Sequence, residues 1–127
     1  MNYSFRKKNK KVKYIVIHYT GMESFSEAIS KLDNLKSDVS CHYLISKSGL
    51  IFNLLCPSFK AWHAGKSQWK DLNNLNDYSV GIELENKGHD HGYDNFSSKQ
   101  YSSLKKLITF LNKNFQIQHQ NIIFHSD

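Results

Sequence analysis

The chain has 127 residues, 39% hydrophobic and 13% aromatic, enough for one domain with its own core and too few for two. Of 17 Lys and Arg, six (Arg6, Lys7, Lys8, Lys10, Lys11, Lys13) lie in the first 13 residues and the remaining 11 balance 11 acidic residues, so the net charge of +6 belongs to an arm and the body is neutral. That distribution argues against a nucleic-acid binder, which shows a basic face or stripe, and residues 1–13 read as a solvated, partly disordered arm ahead of a domain at 14–127. The apolar run after the arm is too short for a secretory signal, and no stretch is long enough to span a membrane. Cys41 and Cys56 form neither a disulfide framework nor a CxxC pair, so the expected setting is the reducing cytoplasm.

The first apolar run, residues 12–17, reads as a buried strand that ends at His18. Ser24 and Glu27 have capping-box spacing, and Phe25, Ala28, Ile29, Leu32 and Leu35 follow as the stripe of an amphipathic helix. Residues 42–46 and 50–55 flank Lys47-Ser48-Gly49, the pattern of a β-hairpin whose glycine supplies positive φ. Residues 57–78 are irregular and read as a long surface loop. In residues 79–85, Val80, Ile82 and Leu84 alternate with Gly81, Glu83 and Glu85, which predicts a strand with Glu83 pointing away from its apolar side. A second helix starts near Ser97, with Gln100 completing another capping box and Tyr101, Leu104, Leu107, Ile108 and Leu111 as its stripe. A final strand, residues 121–124, ends at His125. The alternation predicts an α/β (mixed α+β) single domain in which helices flank a central mixed sheet.

Two of the seven histidines, His18 and His125, thus end short apolar strands. Placed side by side, such strands would hold both imidazoles over one spot. A lone histidine beside an apolar run is more often a packed or surface residue, and two do not complete a catalytic zinc site, which usually takes three protein ligands and a water. The residue types nevertheless suit a zinc hydrolase: imidazoles for the metal, a carboxylate for the proton of bound water, and a polar loop for substrate.

Five strings carry more than this. Tyr14-Ile15-Val16-Ile17-His18-Tyr19-Thr20, Val39-Ser40-Cys41-His42-Tyr43-Leu44-Ile45, Ala61-Trp62-His63-Ala64-Gly65, Ser79-Val80-Gly81-Ile82-Glu83-Leu84-Glu85-Asn86 and Phe124-His125-Ser126-Asp127, in this order, resemble the zinc-dependent N-acetylmuramoyl-L-alanine amidases, relatives of phage amidase-type lysozymes and peptidoglycan-recognition proteins. The resemblance implies Zn²⁺ held by His18 and His125, Glu83 as the catalytic carboxylate, and His42, Trp62, His63 and Asn86 as substrate-binding residues. For His42 a packed core histidine is the equal alternative, and for Trp62 a loop anchor. Cys41 stands where some relatives carry a catalytic tyrosine, and Glu85, on the strand face of Glu83, matches no catalytic position. The implied reaction is hydrolysis of the amide between N-acetylmuramic acid and L-alanine in peptidoglycan or muropeptides, by a monomer with no nucleic-acid or membrane partner.

In the family a loop beyond the His-Ser-Asp string carries the third zinc ligand, and the sequence as given stops at Asp127. Asp127 would share the strand face of His125, but it is not the family's ligand. The expectation is therefore a chain lacking the C-terminal part of the family fold, with a catalytically impaired or inactive muropeptide-binding domain as the alternative to an amidase.

Overall fold

The computed structural model describes residues 3–6, 11–21, 24–33, 40–62, 75–86 and 95–124. In chain order the elements are β1 (Tyr3–Phe5), β2 (Tyr14–Tyr19), α1 (Phe25–Asp33), β3 (Tyr43–Ile45), β4 (Ile51–Asn53), β5 (Phe59–Ala61), β6 (Ser79–Leu84), α2 (Ser98–Phe115) and β7 (Ile122–Phe124). Five strands form a mixed sheet in the order β4-β3-β6-β2-β7. All its pairings are parallel except the β3/β4 hairpin. Every residue of β2 is buried, as its unbroken apolar run requires of a strand covered on both faces.

The helices cover opposite faces. On one, Leu104, Leu107 and Leu111 of α2 pack against Ile15, Ile17, Val80, Ile82 and Leu84. On the other, Leu32 of α1 packs with Cys41 and Leu44, and Phe25 and Ile29 close over them. Side-chain caps start both helices: the Glu27 N–H donates to Ser24 Oγ at 3.1 Å, one half of a capping box, and the Ser97 and Gln100 side chains each accept the other's backbone N–H at 3.0 and 3.1 Å, a complete one. Leu35 lies outside the described residues.

Two members of the α2 face differ from the expected stripe. Tyr101 is 51% exposed and stands edge-on to Phe96 at 5.9 Å between ring centroids. Gln100 is fully buried instead, and its amide nitrogen donates to the carbonyls of Glu85 at 2.9 Å and Ile45 at 3.3 Å. Buried polar groups persist where such partners satisfy them.

In the hairpin, Gly49 has φ +89°, and a Cβ there would lie 3.0 Å from both the Cβ and the carbonyl oxygen of Lys99. Backbone conformation and the close approach of α2 therefore both demand glycine.

Two expectations need correction. Residues 57–78 are not a continuous loop, since β5 and a 3-10 turn at Leu75–Tyr78 form within them. Nor are residues 3–6 a solvated arm: β1 pairs antiparallel with β5, and the Arg6 guanidinium donates to the carbonyls of Pro57, Asn76, Asp77 and Ser79. Fixed partners that accept its donors, rather than bulk solvent, decide where this charge sits.

Candidate active site

β2 and β6 lie side by side and parallel, with His18 opposite Glu83, so the two side chains leave the sheet on the same face. Their neighbours along each strand, Ile17, Ile82 and Leu84, belong to the opposite, α2-covered face. His18 is 1% exposed, while Glu83 is half-buried with its Oε2 atom buried. On the other side of β2, Phe124 pairs with Ile17 in parallel, so the residues immediately preceding His125 and His18 are partners. His125, Ser126, Asp127 and His63 lie outside the described residues.

The turns beyond the two strands are bonded to each other. The Thr20 N–H donates to Leu84 O at 2.9 Å, the Gly21 N–H to Asn86 O at 2.9 Å, and the Thr20 hydroxyl to Asn86 O at 3.1 Å. These bonds hold the carboxyl ends of β2 and β6, and with them His18 and Glu83, in one register. Asn86, expected at the cleft wall, is fully buried, and its carbonyl is the acceptor in two of these bonds.

His42 lies just ahead of β3. It is fully buried, its Nδ1 accepts the Gly81 N–H at 3.0 Å, and its Nε2–H donates to Phe59 O at 2.7 Å. Both ring nitrogens are engaged within the fold, which fits the packed alternative. Burial lowers its pKa to about 4, with the Arg6 charge adding to the effect and the bond to Phe59 opposing it.

An unfolded histidine titrates near pH 6.5, so between roughly pH 6.5 and 4 the unfolded chain binds the extra proton. The contribution of His42 to stability is thus complete above pH 6.5 and is lost as the pH falls toward 4. We expect the denaturant midpoint to drop between pH 7 and pH 4.5, and His42→Gln to reduce that drop. An identical drop in the variant would assign it to other groups.

Trp62 is half-buried and tied at three points. Its N–H donates to Ser40 Oγ at 2.8 Å, its carbonyl accepts the Ser40 N–H at 2.9 Å, and its indole N–H donates to Ser4 Oγ at 2.8 Å. It anchors the segment that leads into His63. Cys41 is buried, and burial pushes its thiol pKa well up, with the charge of Glu83 adding to the shift. It donates to Tyr43 O at 3.2 Å and remains a neutral thiol on the face of Glu83. Glu85 Oε1 accepts the Lys47 N–H at 2.9 Å and so ties β6 to the hairpin.

Among the described residues, no three or more His, Cys, Asp or Glu side chains are grouped so as to hold a metal ion, and no helix is long and apolar enough to cross a membrane. Sequence patterning missed Ser4 and Arg6. The available signal was that Arg6 is the chain's only arginine among sixteen lysines.

The sequence model of the N-acetylmuramoyl-L-alanine amidase family matches residues 8–127. The chain belongs to this family. It is 32% identical over 129 residues to N-acetylmuramoyl-L-alanine amidase AmiD of Escherichia coli, covering 92% of this chain and 46% of that protein. It is 34% identical over 90 residues to 1,6-anhydro-N-acetylmuramyl-L-alanine amidase AmpD of Haemophilus influenzae, covering 70% of this chain and 47% of that one. The solved complex of Escherichia coli AmiD with the substrate anhydro-N-acetylmuramic acid-L-Ala-D-γ-Glu-L-Lys superposes with a TM-score of 0.81 at 30% identity, over 94% of this chain and 51% of that one. The chain spans about half the length of the curated relatives it matches. Family membership and the mixed sheet with flanking helices therefore agree with what the five sequence strings implied.

Proposed function

We propose that this protein is an amidase that hydrolyses the bond between N-acetylmuramic acid and L-alanine in peptidoglycan or its muropeptide fragments. The observation that carries the reading is the pairing of His18 with Glu83 on one face at the carboxyl ends of two central strands, in a chain of this family. A similar solved amidase was captured with an anhydromuramyl peptide, which supports that substrate class here.

The donors suit zinc in kind: a buried imidazole at the end of β2, and a second histidine following a strand paired with β2 in parallel. His18 and His125 would hold the ion, and a bound zinc supplies a water of lowered pKa and polarises the scissile carbonyl. Glu83, opposite His18, takes the proton of the attacking water and passes it to the amine of L-alanine as it leaves. His63 and the flat apolar face of Trp62 contact the sugar or stem peptide. Cys41 and Cys56 are both free thiols, which supports action in the reducing cytoplasm.

The test is incubation of the protein with anhydro-N-acetylmuramic acid-L-Ala-D-γ-Glu-L-Lys and zinc, followed by chromatography. Release of the L-alanyl peptide is the expected result. Binding without release would replace this reading with that of a muropeptide-binding module.

A further inference from the structure

The family match begins at residue 8, yet residues 3–6 are built into the fold ahead of it. β1 adds to β5 in the register Tyr3 to Ala61, Ser4 to Lys60 and Phe5 to Phe59. Rings of Tyr3, Phe5 and Phe59 close over the ribbon, with Tyr3 and Phe59 centroids 5.4 Å apart and Phe5 and Phe59 5.5 Å apart. From this ribbon Ser4 reaches Trp62, and the adjoining Arg6 reaches the start of β6.

Ser4 Oγ accepts the indole N–H of Trp62 at 2.8 Å, which sets the orientation of that ring. Arg6 reaches the start of β6. Its Nη2 donates to Ser79 O at 2.8 Å and Pro57 O at 2.9 Å, and its Nη1 to Asn76 O at 3.0 Å and Asp77 O at 3.1 Å. Nη2 also lies 3.5 Å from Nε2 of His42, the residue whose Nδ1 receives the Gly81 N–H. Gathering carbonyls from separate segments requires a planar fork of N–H groups, which lysine lacks. The placement of the chain's one arginine here matches that requirement.

We propose that β1 and Arg6 form a positioning strap for the amidase site: Ser4 orients Trp62 toward substrate, and Arg6, with His42, fixes the start of β6 and hence the register in which Glu83 is presented. The inference rests on the roles proposed above for Trp62 and Glu83. Neither Ser4 nor Arg6 touches the reacting atoms; both act through the residues they hold.

The experiment compares Ser4→Ala, Ser4→Thr and Arg6→Lys with the parent, each first without ligand, by amide and indole hydrogen exchange in NMR. Ser4→Ala is expected to speed exchange of the Trp62 indole N–H about tenfold, since its part-buried hydrogen bond is lost, and Ser4→Thr, which keeps the hydroxyl, to restore it. Arg6→Lys keeps the charge and is expected to speed exchange of the Gly81 amide about tenfold while leaving that of Leu107 in α2 unchanged. With anhydro-N-acetylmuramic acid-L-Ala-D-γ-Glu-L-Lys as substrate, Ser4→Ala should raise KM roughly threefold to tenfold at nearly constant kcat. Arg6→Lys should lower kcat at nearly constant KM. Parent-like exchange in Ser4→Ala and Arg6→Lys, or altered exchange with parent-like kinetics, would overturn the strap. A parent that leaves this peptide intact would overturn the amidase reading instead, and the exchange rates alone would then decide the strap.

Discussion

Glu83→Gln is expected to cut the rate of L-alanyl peptide release by about 10²–10⁴-fold, the usual contribution of a general base, while leaving the fold and any zinc binding intact. The substitution preserves size and the capacity to accept a hydrogen bond, so packing around the half-buried side chain changes little. What it removes is the carboxylate on the face of His18 that we propose takes up a proton. Glu85→Gln is the control. Glu85 Oε1 accepts the Lys47 N–H, a bond that an amide oxygen also makes, so this variant should retain most of the activity. Rates on an anhydromuramyl peptide, with zinc content and circular dichroism measured on the same preparations, separate the outcomes. Activity lost in Glu85→Gln and kept in Glu83→Gln would place the proton acceptor elsewhere.

Period and capping make most of the sheet and both helices legible in the sequence. The run before His18 and the alternation around Glu83 fixed which residues share a strand face, and β2 and β6 pair accordingly. Side-chain caps at Ser24 and Ser97 marked helix starts because they satisfy N–H groups that a helix cannot satisfy itself. What stayed hidden was polar and non-local. For His42 the sequence leaves a substrate contact and a packed residue equally open, and its two bonds, to Gly81 and Phe59, are invisible to local pattern. Gln100 counts as polar in any periodicity, yet the carbonyls of Ile45 and Glu85 draw it fully inside. Arg6 sat within a run of lysines that reads as solvated, while its partners lie 51 to 73 residues away in sequence. Such pairings cannot be read from local pattern, because loop closure over that distance is decided by the whole fold.

His18→Ala is expected to reduce zinc retained after dialysis to about one-tenth of the parent's or less, since losing one imidazole from a small ligand set removes much of the binding energy. The side chain is 1% exposed, and deleting it also leaves a void that costs stability on its own account. A fall in melting temperature alone would therefore be uninformative, and the decisive quantity is the response to metal. A ligand that binds only the folded state raises its stability in proportion to the logarithm of its concentration over Kd. Added zinc should thus raise the melting temperature of the parent and not that of His18→Ala. His42→Gln provides the matched comparison: it too removes a fully buried imidazole, but one whose nitrogens are bonded to Gly81 and Phe59, so its zinc response should persist. The same pair of measurements on His125→Ala tests the second proposed ligand, carried by the chain that follows Phe124, the partner of Ile17. Undiminished zinc and an unchanged thermal response in His18→Ala would show that His18 is not a ligand of the metal.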